Sequence, residues 1–407
     1  MKNNISTLCC FAALFMSVLF LSCSEDDNVQ LDEASQVDQN NSTDDQIDGD
    51  TSDSVDTTAS DTGAGEEFTR VTMLANWADN IIIPAFESLV DNMDSLSLAA
   101  NEFTDTPNQE NLINLKQSWL NAYLAWQTVD MFDIGKAEEI TLRNFINVYP
   151  LDAQGMTTTL LAGDYDLTSV NRQDEQGFSA LDYLLHGLGN SDEEIIAFYT
   201  DDTNGLKYKT FLNDVVNRML SLTSIVLEDW KESYRDEFIE RDGNAATESV
   251  NSMVNDYIYY YEKFLRAGKV GIPAGVFSNS SLSDRVEARY HGDVSKELLI
   301  KALNSAQDFF NGVHFSQEDS GMSLKGWINY IEASGSTNNL DSLINNQFGL
   351  IHLQLENLNS DLGQQVEIDN IKMLETYDIL QKNVVFMKVD MLQLLDITVD
   401  YVDADGD

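Results

Sequence analysis

Three polar residues on one short helical run could do chemistry together: Ser179, Asp182 and His186, within Gly177 to Gly187 (GFSALDYLLHG). In an α-helix, positions i, i+3 and i+7 fall on one side of two turns. A carboxylate and an imidazole four residues apart can chelate a cation. A local reading of the same residues needs no ligand: Ser179 caps a helix start, Asp182 complements the helix dipole, and His186 precedes the glycine that ends the helix. Phe178, Leu181, Leu184 and Leu185 recur at helical spacing, so the opposite stripe of this run faces a core.

The elements around this run must place it. Val71, Leu74, Trp77, Ile81, Phe86, Leu89 and Met93 form an upstream helical stripe, and Pro84 is expected to kink that helix without ending it. Thr106, Pro107 and Gln109 read as a cap, a first helical position and a capping-box partner for the next helix. Trp119 and Trp126, seven apart on that helix, predict one buried seam. Further helices are expected over residues 192–199, 207–239, 245–265, 294–310, 324–331, 340–358 and 371–394. Tyr257, Tyr259, Tyr260 and Tyr261 span more than one helical face, which predicts that some are exposed or lie at a domain contact. With only four prolines and stripe after stripe at a period of 3.6, the fold class expected is all-α, two packed helical bundles. The polar break at residues 200–205 marks the junction, giving bundles over 68–203 and 204–407. A short extended C-terminal segment is expected where Ile397, Val399 and Tyr401 alternate with polar residues.

Charge and cysteine content exclude several functions. The chain of 407 residues carries 69 acidic and 23 basic residues, a formal charge of −46, which repels nucleic acid and anionic lipid surfaces and attracts cations. All three cysteines, Cys9, Cys10 and Cys23, lie near the start, so the folded body has no disulfide, catalytic thiol or thiolate metal site. HExxH and GxSxG are absent, and His291, His314 and His352 stand isolated in sequence.

Residues 1–22 read as a secretory signal, with Lys2 ahead of an apolar run too short to span a bilayer. Phe20-Leu21-Ser22-Cys23 resembles a bacterial lipobox, which implies lipid modification at Cys23 and a membrane as partner through the acyl chains. Residues 24–67 lack Lys and Arg and nearly all large apolar side chains, and so predict a disordered acidic tether. Glu25-Asp26-Asp27 after Cys23 resembles the surface-export signal of Bacteroidetes-type lipoproteins. The localisation expected is the cell envelope, as an outer-membrane lipoprotein exposed at the surface.

GFSALD, together with IIIPAF, SWLNAYLAWQ, VYPLDAQ and the terminal DGD, resembles the imelysin-like family, whose central motif is Gly-x-His-x-x-Glu. Gly177 is retained, while Ser179 stands at the His position and Asp182 at the Glu position. The resemblance spans residues 68–407 and implies one of two roles: a metallopeptidase, or a lipoprotein of iron uptake with components of an uptake system as partners. A metallopeptidase needs about three protein ligands and a general base, and Ser179 is a poor ligand. Binding is therefore the expected function, with Asp182 and the YPLD residue Asp152 as hard oxygen donors for a divalent or ferric ion, and His186 and Ser179 beside them. Oxygen donors suit Fe(III), Ca or Mn better than zinc. A metal-free adhesion or scaffold protein is the third reading.

Overall fold

A computed structural model describes residues 68–243, 245–335 and 339–399. The expected signal segment, the lipidation residue Cys23, the 24–67 tether and the acidic tail from residue 400 lie outside the described residues.

Every regular element among the described residues is helical, with a single isolated bridge between Val313 and Ser320. The upstream stripe is one helical rod with a change of winding in it: an α-helix at Arg70–Asn76, a π-turn at Trp77–Ile82, and an α-helix at Ile83–Asp105. Pro84 sits at the start of the last piece, so the expected kink is met by wider turns just before it. Proline has no N–H to bond four residues back, and the Asn80 carbonyl instead accepts the Phe315 N–H at 2.8 Å.

The next helix, Gln109–Trp126, starts two residues later than its sequence signals suggest. Asn108 is the cap, its side chain accepting the Asn111 N–H at 2.9 Å, while Thr106 closes the preceding helix. Trp119 and Trp126 are both buried, as the seven-residue spacing predicts.

Helix Ile83–Asp105 packs lengthwise against Gln109–Trp126 on one side and Gly205–Asp229 on the other. The turn at 201–204 is present, but the helix after it returns to the first group. That helix continues through a π-turn at Trp230–Tyr234 into Arg235–Glu240, which meets Arg70–Asn76. The crossing to the second group falls between Glu240 and Ser249, not at 203/204. The second group contains Ser249–Tyr259 running into a π-helical stretch at Tyr260–Gly271, then Ser295–Asn311, Leu340–Glu356 and Asn370–Val385. One hydrophobic core runs through both groups, and the described residues form one compact unit.

Tyr257, Tyr260 and Tyr261 are fully buried and Tyr259 is half-buried, so none of the four is exposed. The winding widens at Tyr260, in the middle of the run, and an α-helical projection of the four side chains no longer holds there. Five such π segments occur among the described residues, one of them inside the 177–187 run.

Candidate functional site

Gly177 opens the central run with φ +78°, and a Cβ there would lie 2.3 Å from the Ile146 carbonyl oxygen. Only glycine combines that left-handed backbone with so close an approach. The α-helical part is Gly177–Asp182, and Tyr183–Gly187 winds as a π-turn that ends on the second glycine, as expected. Phe178 stacks flat on Tyr123 at 4.3 Å, and its carbonyl accepts the Trp119 indole N–H at 3.3 Å. The run is thereby fixed to the face of the Gln109–Trp126 helix.

Ser179 is not a cap. Gln176 occupies that position, and the Ser179 hydroxyl donates to the Val148 carbonyl at 2.6 Å, joining the run to the YPLD segment. Asp152, the second expected ligand, is exposed and caps its own helix, Ala153–Ala162, by accepting the Gly155 N–H at 2.9 Å. Asp182 is 1% exposed. The expected Asp152–Asp182 pair is therefore divided between a surface cap and a buried position.

Asp182 faces the segment that precedes helix Ser295–Asn311. Its Oδ2 accepts the Tyr290 backbone N–H at 2.7 Å, and Oδ1 has no hydrogen-bond partner. Burial pushes the carboxyl up to about 7, against the pull of the Tyr290 and His291 N–H groups. His186 lies on the same run and stacks face to face on His291, with ring centroids 4.2 Å apart and planes 9° apart; Trp119 borders both rings. Burial, then His291 and Lys116, lower the His186 pKa to about 2, so the ring is neutral, and its Nε2 also lacks a partner. His291, isolated in sequence, thus belongs to the site.

These residues do not form a resident metal centre. Parallel stacked imidazoles direct their lone pairs along separate planes and not to a common point, and Ser179 is committed to Val148. No group of three or more His, Cys, Asp or Glu side chains with metal-holding geometry exists among the described residues. A catalytic zinc site requires about three such ligands.

A second buried polar cluster went unread in the sequence. Glu287 is 3% exposed and accepts Asn147 Nδ2 at 2.8 Å, Gln127 Nε2 at 3.1 Å and the Lys269 ammonium, with Lys269 also buried. Tyr123 donates to Asn147 Oδ1 at 2.7 Å, which connects this cluster to the ring that supports Phe178. Nearby, Arg143 pairs with Asp130 at 2.9 Å and Asp133 at 3.0 Å, lies 3.8 Å from Asp256, and stacks on the Phe264 ring. Burial raises Asp256 to about 8, with Arg143 acting against it. The one available signal was Lys269 in KVGIPAGVF, a charged residue within an apolar helical stripe.

Residues 82–381 match the peptidase family model described as imelysin. The chain belongs to the imelysin family. Two solved structures share the fold. An iron-regulated protein A precursor from Parabacteroides distasonis has a TM-score of 0.65 at 18% identity, covering 81% of this chain and 97% of that one. An imelysin-like protein from Psychrobacter arcticum has a TM-score of 0.61 at 16% identity, covering 82% and 99%. Among curated proteins, iron-regulated protein A of Synechococcus elongatus is 22% identical over 112 residues, which is 28% of this chain and 30% of that protein's length.

Proposed function

We propose that this imelysin-family chain is a ligand-binding protein of the cell envelope that serves iron acquisition, and that its central run binds rather than hydrolyses. Carrying this reading is the Asp182 carboxylate, which is buried across from the 287–291 segment with one oxygen bonded and the other buried without a partner. A buried acceptor without a donor is costly, on the order of 1–3 kcal/mol, and a ligand that supplies positive charge or a donor relieves that cost. The unpartnered Nε2 of neutral His186 adds a second polar atom without a partner on the same run. The geometry favours a ligand held by one or two protein donors, such as a hydrated or chelated hard cation, over an ion enclosed by protein. Iron as cargo is supported by the names of the relatives, not by any feature of the site.

Thermal melting with ferric citrate, Mn(II), Ca(II) or Zn(II) tests this. At least one ion should raise the melting temperature saturably, by the linkage between binding and stability, and Asp182→Asn should abolish the rise. Curves unmoved by all four ions would favour a metal-free scaffold, and chelator-sensitive proteolysis by the unmodified chain would restore the peptidase reading. The envelope assignment rests on the lipobox-like Cys23, and no described helix is long and apolar enough to cross a membrane. Cys23→Ala should release the protein from membranes, and retention of that variant in the membrane fraction would contradict the anchor.

A further inference from the structure

Away from the central run, a cavity of about 460 Å³ opens between the Trp77–Ile82 turn, residues 128–132, helix Ser295–Asn311 and the 313–318 loop. Its volume is that of a small-molecule site. Phe132 and Phe309, edge to face at 5.4 Å and both buried, underlie its floor with Ile81, and the half-buried Phe315 ring forms an accessible wall. That wall is held in place before any ligand arrives. Phe315 N–H bonds the Asn80 carbonyl that Pro84 leaves free, and His314 Nε2 is 2.9 Å from Asn76 Oδ1, while Asn76 Nδ2 donates to the Met322 carbonyl at 3.0 Å. A preformed wall lowers the ordering cost of binding.

The opposite side is polar. Lys301, Ser305 and Asp308 recur at i, i+4 and i+7 on helix Ser295–Asn311 and all line the cavity. Neither the Lys301 ammonium nor the Asp308 carboxylate makes a hydrogen bond or ion pair among the described residues. The helical rise separates their backbone positions by about 10 Å, and Lys301 acts on Asp308 through space without an ion pair. Glu318 adds a second carboxylate at the rim, so the lining is net negative. Burial pushes the Asp308 carboxyl above its ordinary value, with Lys301 and His352 acting in the other direction. An incoming positive charge would relieve that desolvation.

We propose that this cavity binds a small organic cation, an ammonium group carried on an aryl or branched alkyl body. The ammonium meets Asp308, and the apolar body lies on the half-buried Phe315 ring, whose face also attracts cations through its quadrupole. The formal charge of −46 concentrates such cations near the surface. Lys301 opposes the bound charge, so the two charged residues of one helix face have opposite effects on affinity.

Calorimetric titration of the intact chain with phenethylammonium, against neutral 2-phenylethanol and anionic 3-phenylpropanoate, tests the proposal. The amine should bind, and both controls should bind at least tenfold more weakly. Asp308→Asn should weaken the amine at least tenfold, Lys301→Met should tighten it severalfold, and Asp182→Asn should leave it unchanged. Opposite changes in two variants of one helix cannot come from a common folding defect. No binding of the amine to the unmodified chain, equal binding of amine and alcohol, or an Asp308→Asn variant with unaltered affinity would each overturn the assignment.

Discussion

Two buried carboxylates differ in how completely the protein satisfies them. Glu287 receives Asn147, Gln127 and the Lys269 ammonium, so both of its oxygens are bonded and its charge is balanced. Asp182, as deeply buried, receives the Tyr290 N–H on one oxygen and nothing on the other, with no cation in contact among the described residues. A charge with a full set of partners stabilises a single arrangement of the chain. A charge left half-satisfied is strained in the resting protein and gains when a partner arrives. The first cluster ties helix Gln109–Trp126 to the 269–287 stretch, and the second is where binding can occur.

Breaking the satisfied side should have the largest effect. Lys269→Met leaves Glu287 buried without its counter-ion and should cost about 3–5 kcal/mol, read from the denaturant midpoint; adding Glu287→Gln to that variant should recover part of the loss. If Lys269→Met proves neutral, the pair is not the lock described here.

The half-satisfied side should show itself in pH dependence. Asp182 is near 3.8 when unfolded and about 7 when folded, so the folded state holds the proton more tightly. Its contribution is present at low pH and is lost as pH rises towards 7, at a rate of at most about 1.4 kcal/mol for each pH unit between those two values. Asp256, raised to about 8, adds a loss of the same sign that continues to slightly higher pH. His186, lowered to about 2, acts oppositely, its contribution being complete above pH 6.5 and lost in acid. Stability should therefore decline from about pH 4 to 8, less steeply below pH 6.5 where His186 opposes the two carboxyls, and Asp182→Asn should flatten the part of that decline below pH 7 while gaining stability at pH 8. A variant whose profile parallels the unmodified chain would remove Asp182 as the strained group.

Smaller effects concern the support of the run. Gly177→Ala forces a left-handed residue against the Ile146 carbonyl and should cost more than about 1 kcal/mol. Ser179→Ala should cost about 1 kcal/mol through the lost bond to Val148. Ser179→His should cost more than Ser179→Ala and confer no peptidase activity, because the remaining ligands are not assembled. Activity on Ser179→His alone would show that the run needs only its missing histidine.

Periodicity made the helices legible: Trp119 with Trp126 and the stripe of Phe178, Leu181, Leu184 and Leu185 are buried as their spacing requires. It located Asp182 and His186 but not their partners. Asp182 is bonded by a backbone N–H, which nearly every residue type carries, so no residue pattern could point to Tyr290. Asp152 looked like a ligand because its bond to Gly155, three residues on, leaves the same trace as any cap. The π-turns were invisible for a related reason: an α-helical projection assumes constant winding, and the winding widens at Tyr260 within the run of tyrosines. Lys269 and Glu287 were missed because charged residues are ordinarily read as surface, and their pairing joins positions 18 residues apart.

The central claim, that the unpartnered Asp182 oxygen takes a ligand, is tested most directly by counting protons. Titration with Mn(II), a hard ion soluble at neutral pH, is run in buffers of different ionisation enthalpy at pH 7, where a carboxyl of pKa about 7 is partly protonated. Binding there must displace the proton. The account predicts saturable binding with release of a fraction of a proton per ion, and loss of both binding and release in Asp182→Asn. Binding with no proton released, or release that persists in Asp182→Asn, would contradict it.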